Sequence, residues 1–292
     1  MNFIKYRGIS FVVSGIFLII AIVSLVSFGL KPAIDFTGGS LLEIELLKTV
    51  DSEKLYQTLN KEAIVFSQVQ QTSQGSYIIR FEGGEENKKL ILDKINEDYG
   101  EVKMIRFESV GPTFGRELLR KAITALILTV LGILVYIAWR FGNLEFGIFA
   151  VLAMIHDNLI LLGSFALLGH FFGVSVDALF ITAALTTLAA SVHDTVITFD
   201  YVRKQSRHFS DQKNIEAMAN KALNDTVVRN VNNSWTIIFM LTAVLLMGGE
   251  TVKWFAAALL IGSILGTYSS TFLAVPLLVT WENFHRRREK MK

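Results

Sequence analysis

At 292 residues, 52% of them hydrophobic and only 18% charged, with three prolines and a net charge of +2, the chain has the composition of a polytopic membrane protein and not of a soluble domain. It contains no cysteine, which excludes a disulfide framework and a thiolate metal site. The near-neutral total hides an asymmetry: residues 31–121 hold 13 basic and 15 acidic side chains, whereas the remainder carries a net +4, so a mildly acidic insert sits within a basic framework.

In chain order, residues 9–28 form an almost uncharged run behind Lys5 and Arg7, too long for a signal-peptide core and without a small-x-small cleavage site, so they read as an uncleaved first span. Residues 1–30 thus comprise a short N-terminus and the first transmembrane helix. Residues 31–115 read as a soluble domain of order βαββαβ: strand 40–47, helix 52–63, strand 64–72, strand 77–82, helix 85–99, strand 101–110. Gln74-Gly75-Ser76 supplies the hairpin turn, Gly83-Gly84 breaks the chain, and Leu90, Ile91, Lys94 and Ile95 recur at helical spacing with Leu92 less well placed. A ferredoxin-like α+β sandwich is the economical fold. At its entrance, Asp35-Phe36-Thr37-Gly38-Gly39 has two glycines suited to a turn with positive φ, and lacks the Lys-Ser/Thr that a phosphate-binding loop requires.

Five further spans follow within 116–281, at roughly 122–139, 146–168, 179–202, 228–247 and 254–281, giving six transmembrane helices in all. Residues 203–227 alternate charge with Ile215, Met218, Ala219, Ala222 and Leu223 at helical spacing, the pattern of an amphipathic helix lying on the inner membrane surface, as an anchor or as a partner-docking element. Residues 282–292 are a basic tail. Placing both termini in the cytoplasm puts nearly all basic residues outside the insert on the inner side, and domain 31–115 on the outer side.

The ionisable residues within the spans define the candidate site, because such groups are expensive in hydrocarbon and are retained for function. His156 and Asp157 lie half-way along the third span. His193, Asp194 and Asp200 lie on the fourth. His193 and Asp200, seven apart, share a face, and Asp194 aligns with Ile197, Thr198 and Tyr201. Asp200 is near the span end beside Arg203, so Asp194 is the deeper of these two acids. On the fifth span, Arg229, Asn232, Asn233 and Thr236 fall at i, i+3, i+4, i+7 and make one polar face. An antiparallel neighbour would bring Arg229 beside Asp194 or Asp200, and a carboxylate that exchanges such a partner for a proton can change charge under load. Gly262 and Gly266 on the last span serve close helix packing. Two His-Asp pairs on adjacent spans also raise an intramembrane metal site, disfavoured by the absence of H-E-x-x-H.

One span, an extracytoplasmic ferredoxin-like domain and five more spans is the half-unit layout of the RND transporter superfamily. Within it the chain resembles the SecD/SecF family of protein-export membrane proteins. The resemblance covers nearly the whole chain and rests on DFTGG (Asp35–Gly39), His156-Asp157, HDTVITFDYVRK (His193–Lys204), LNDTVVRNVNNS (Leu223–Ser234), LMGGE (Leu246–Glu250) and GTYSS (Gly266–Ser270). It implies a non-enzymatic subunit in the bacterial cytoplasmic membrane that acts with SecD, the SecYEG translocon and the accessory proteins YajC and YidC. Such a subunit works on preproteins, in contact with lipid and not nucleic acid, with protons as the coupling ion and no other cofactor. It also implies proton passage at Asp194 and Arg229, and at these two residues only; His193, Asp200, Asp157, His156 and Asn233 are candidate relay neighbours. The family's usual Asn before the acid is His193 here, its Arg after the second acid is Tyr201, and its Arg-Thr-x-x-Thr-Ser reads Arg229-Asn230-Val231-Asn232-Asn233-Ser234. A proton-coupled small-molecule or lipid exporter, and a passive scaffold that moves no protons, are the alternatives.

Overall fold

The computed structural model describes residues 2–46, 50–59, 66–72, 75–208 and 215–290. In chain order its elements are α1 (Arg7–Phe28), α2 (Ile34–Thr37), β1 (Gly39–Leu46), α3 (Ser52–Leu59), β2 (Phe66–Gln71), β3 (Tyr77–Phe81), α4 (Glu85–Tyr99), β4 (Val102–Val110), α5 (Pro112–Phe141), α6 (Leu144–Phe172), α7 (Ala178–His208), α8 (Ile215–Met247), α9 (Glu250–Ser269) and α10 (Val275–Lys290). A π-helical turn, Ser270–Ala274, joins α9 to α10, so these run as one span, Val252–Arg286. Six helices among the described residues are long and apolar enough to cross a membrane. The expected Leu47, residues 60–63 of the first domain helix, 64–65 of the second strand and Gln74 of the hairpin lie outside the described residues.

Two compact units are present. One comprises Lys31–Thr124 with Ser175–Ala178. Its antiparallel sheet has the order β2-β3-β1-β4, the ferredoxin-like arrangement that a βαββαβ chain produces. The register pairs Leu42 with Ile79 and Ile44 with Tyr77. Strand alternation then turns Leu42, Ile44, Tyr77, Ile79 and Phe81 onto one face, where they meet Leu55 and Leu59 of α3 and Ile91 and Ile95 of α4. The α4 stripe is narrower than expected: it centres on Ile91 and Ile95 with Leu92 flanking, while Leu90 is 58% exposed. Buried Tyr77 satisfies its hydroxyl on Val50, accepting from its N–H at 2.8 Å and donating to its C=O at 2.6 Å.

The DFTGG stretch has a defined task in this unit. Asp35 Oδ2 accepts the backbone N–H of Ala178 at 2.8 Å, capping α7 with negative charge at its N-terminus. Pro32 and Val176 form a parallel bridge beside it. Gly38 and Gly39 adopt φ of +77° and +111°, and a Cβ on Gly38 would lie 2.6 Å from Pro112 Cα. Gly38→Ala is therefore expected to destabilise the chain by about 1–3 kcal/mol. Gly15→Ala, with nothing within 4 Å, should leave the thermal unfolding midpoint unchanged.

The other unit comprises Met1–Leu30, Ala125–Val174 and Leu179–Lys292 and holds the membrane bundle. Its α6 is bounded by Asn143, whose side chain caps Glu145 N–H at 2.9 Å, and by Gly173 in the left-handed region at φ +69°. Segment 203–227 departs from the expected surface helix: α8 runs unbroken from Ile215, and residues 209–214 lie outside the description. Met218, Ala219, Ala222 and Leu223 are buried, the last three in one cluster with Phe3 and Ile4. Ile4 N–H donates to Asn220 Oδ1 at 3.0 Å and Arg7 pairs with Glu216 at 2.7 Å, so the apolar stripe covers protein and not lipid.

Candidate functional site

Helix α7 places its three ionisable residues differently. Asp200 is ion-paired with Lys204 at 2.8 Å, Arg203 at 3.5 Å and Arg140 at 3.8 Å, a cationic collar at the end of the span. His193 is exposed. Asp194 is half-buried, and among the described residues its carboxylate makes no ion pair or hydrogen bond; its backbone carbonyl accepts Thr198 Oγ1 at 2.9 Å. Arg229 of α8 is within electrostatic range of it.

Arg229 stands on α8 with its guanidinium carbon 5.5 Å from the Tyr201 ring centroid, within cation–π range. Tyr201, where the resemblance leads one to expect arginine, thus holds Arg229 near Asp194 without joining the two. The polar face expected of α8 is real but points outward: Arg229, Asn232, Asn233 and Thr236 are all exposed on this chain. The buried polar residues of α8 are others. Thr226, Asn230 and Ser234 face inward at four-residue spacing, with Asn230 Nδ2 donating to Thr198 Oγ1 at 3.4 Å and Ser234 bonded to Thr267. That spacing was visible in the sequence and is the signal that finds them.

Among the described residues the most buried acid of the bundle is Asp157, 4% exposed, and not Asp194. His156 Nδ1 lies 3.0 Å from Asp157 Oδ1. Ser191 Oγ of α7 and Ser269 Oγ of α9 donate to Oδ2 at 2.8 and 2.5 Å. Gly262 and Gly266 explain how α9 approaches so closely: their Cα atoms face Thr187 and Ser191 of α7, and a Cβ on Gly266 would sit 3.1 Å from Ser191 Cα. The structure thus joins His156 and Asp157 to Ser191 and to Ser269 of the GTYSS stretch, neither of which the sequence marked as a partner of Asp157. Among the described residues no three His, Asp or Glu side chains converge as a metal would need.

Comparison with known proteins agrees with this architecture. A family model described as "Protein export membrane protein SecD/SecF, C-terminal" matches residues 91–284, and one described as "SecD/SecF GG Motif" matches residues 23–50, which contain Asp35, Gly38 and Gly39. The chain belongs to the SecF group of the SecD/SecF family. "Protein translocase subunit SecF" of Thermobaculum terrenum is 40% identical over 97% of this chain and 94% of its own length. The SecF subunit of Helicobacter pylori is 32% identical over 94% and 85%. The crystal structure of SecDF, a translocon-associated membrane protein from Thermus thermophilus, superposes with a TM-score of 0.85 at 27% identity. It covers 97% of this chain, which spans 39% of that longer SecDF chain. The SecF-type chain is a multi-pass membrane protein with a ferredoxin-like domain between its first two spans.

Proposed function

We propose that this chain is the SecF-type half of a SecDF complex that uses the proton-motive force to promote preprotein translocation and release at the outer face of the bacterial cytoplasmic membrane. The observation that carries the reading is the unlocked state of Asp194. It is a half-buried carboxylate on a membrane helix, within electrostatic reach of Arg229 yet bonded to no described side chain. Such a group can exchange a guanidinium for a proton, whereas Asp200, held by three cations, is a structural anchor. The exposed row Arg229, Asn232, Asn233 and Thr236 supports a SecD partner, because a guanidinium and two amides turned toward hydrocarbon need a polar cover. On this reading both termini are cytoplasmic, domain 31–115 is outside, SecYEG, YajC and YidC are neighbours, and the chain catalyses no bond chemistry.

One proton crossing 100 mV releases about 2.3 kcal/mol, a bias of about 50-fold on a two-state change. In vesicles containing this chain, SecD, SecYEG and a preprotein, a protonophore should lower release to the gradient-free rate while leaving the complex assembled. Release that is indifferent to the protonophore would favour a passive scaffold, and gradient-driven efflux of small molecules without preprotein an exporter.

A further inference from the structure

The His156–Asp157 pair has a charge imbalance that the Asp194 reading does not use. Ser191 Oγ–H and Ser269 Oγ–H donate to Asp157 Oδ2, and His156 Nδ1 lies 3.0 Å from Oδ1, where it donates in the tautomer that carries its proton on Nδ1. Ser269 Oγ has Gly266 C=O as an alternative acceptor, but at 3.3 Å against 2.5 Å. With the histidine proton on Nδ1, the carboxylate only accepts and is ionised. Yet among the described residues no lysine or arginine lies within ion-pair distance of Asp157, and its sole ion-pair partner is a histidine that is charged only when protonated. Hydrogen bonds offset part of the desolvation of such a charge and leave the rest uncompensated.

The remaining atom of the histidine answers that imbalance. Donation from Nδ1 makes Nε2 the unprotonated nitrogen, and Nε2 is buried with no hydrogen-bond partner among the described residues. His156 itself is 7% exposed and lines an open cleft of about 370 Å³ between α1, α6 and α9, walled by Phe17, Ile160, Ile264 and Leu265. A proton placed on Nε2 would turn a lone buried anion into a neutral ion pair while breaking no existing bond, since Nδ1–H stays on Asp157. Among the described residues, the side chains bonded to the pair carry no other charge. From α7 comes Ser191, from α9 Ser269 and Tyr268, and the Tyr268 hydroxyl is taken up by Ser14 of α1 at 3.0 Å. The nearest titratable residues on α7 are His193 and Asp194, two and three positions beyond Ser191.

We infer that His156 and Asp157 form a second proton-binding site in the bundle, with the proton held at His156 Nε2 and Asp157 ionised in both states. Two features tie it to the moving parts. Ser191 precedes Asp194 by one helical turn on α7, so the charge at Asp157 is read by the helix that carries the first site. Ser269 stands immediately before the π-helical turn Ser270–Ala274, an element that recurs at functional sites. Neutralising the pair weakens the pull of Asp157 on both hydroxyls at once. The site goes beyond the Asp194 reading and does not depend on it.

The test is solid-state NMR of the full chain, with ¹⁵N-labelled histidine and ¹³C-labelled aspartate, reconstituted with its SecD partner in lipid vesicles. His156 is assigned by the signals missing from His156→Gln. At high pH the ring should be neutral with its proton on Nδ1. On acidification Nε2 should become protonated while the Asp157 carboxylate remains ionised. Asp157→Asn should abolish that protonation over the same pH range, and Asp194→Asn should retain it. A His156 that stays neutral throughout the range in which the chain remains folded overturns the proposal, as does uptake of the proton by Asp157. The decisive spectra are those of the wild-type chain, so a variant that fails to fold does not shelter the idea; assignment then rests on the through-space correlation between His156 and Asp157. A silent His156 combined with a gradient-dead Asp194→Asn removes the second site and leaves the first. A titrating His156 with a fully active Asp194→Asn does the reverse.

Discussion

Asp194→Asn is expected to lower gradient-dependent preprotein release to the rate seen without a gradient, with the purified complex intact. Asn matches Asp in shape and keeps α7 unchanged, because the Asp194 side chain makes no described hydrogen bond or ion pair that the amide would break; the Thr198 bond is to its backbone carbonyl. What the amide cannot do is gain or lose a proton. If one proton at this site supplies about 2.3 kcal/mol per 100 mV, the variant forfeits a bias of about 50-fold. The gradient-free rate itself should not move, which separates a lost coupling from a damaged fold. The measurement is release from reconstituted vesicles with and without an imposed gradient, alongside Asp200→Asn. That companion loses its bonds to Lys204, Arg203 and Arg140 and should show weaker stability with gradient dependence retained. Wild-type gradient dependence in Asp194→Asn would remove Asp194 from proton traffic.

Much of this architecture was legible in the sequence because its determinants are local. The six spans follow from run length and hydropathy, and the βαββαβ order follows from period-two strands separated by turn residues. The positive-φ glycines of DFTGG were likewise readable from residue type alone. Facing was not legible. Periodicity located the Arg229–Asn232–Asn233–Thr236 stripe on α8 but cannot tell whether a polar stripe turns inward or toward a partner, and the structure turns it outward. The same ambiguity misplaced segment 203–227, since an apolar stripe looks alike whether it lies on lipid or on Phe3 and Ile4. The Asp157 cluster was hidden for a different reason. Ser191 and Ser269 lie 34 and 112 positions from Asp157, and serine is common in membrane helices, so only the close approach of α9 to α7 at Gly262 and Gly266 identifies them.

Arg229→Met tests the other half of the exchange. Arg229 is exposed on this chain, its described contact is the Tyr201 ring, and losing that stacking removes only about 0.5–1 kcal/mol. The variant should therefore fold and assemble with SecD, as judged by co-purification and thermal midpoint, while gradient-dependent release falls to the same floor as in Asp194→Asn. Combining the two substitutions should cost no more than either alone, because both remove one exchange between a guanidinium and a proton; such non-additivity is the signature of groups acting as a unit. Tyr201→Phe keeps the aromatic face beneath the guanidinium and should retain coupling. Tyr201→Ala frees Arg229 from its perch and should weaken coupling without abolishing it. Two results would break the model in different ways. Loss of assembly in Arg229→Met would make the arginine a structural strut of the interface, and additive losses in the double variant would mean that Asp194 and Arg229 serve separate steps.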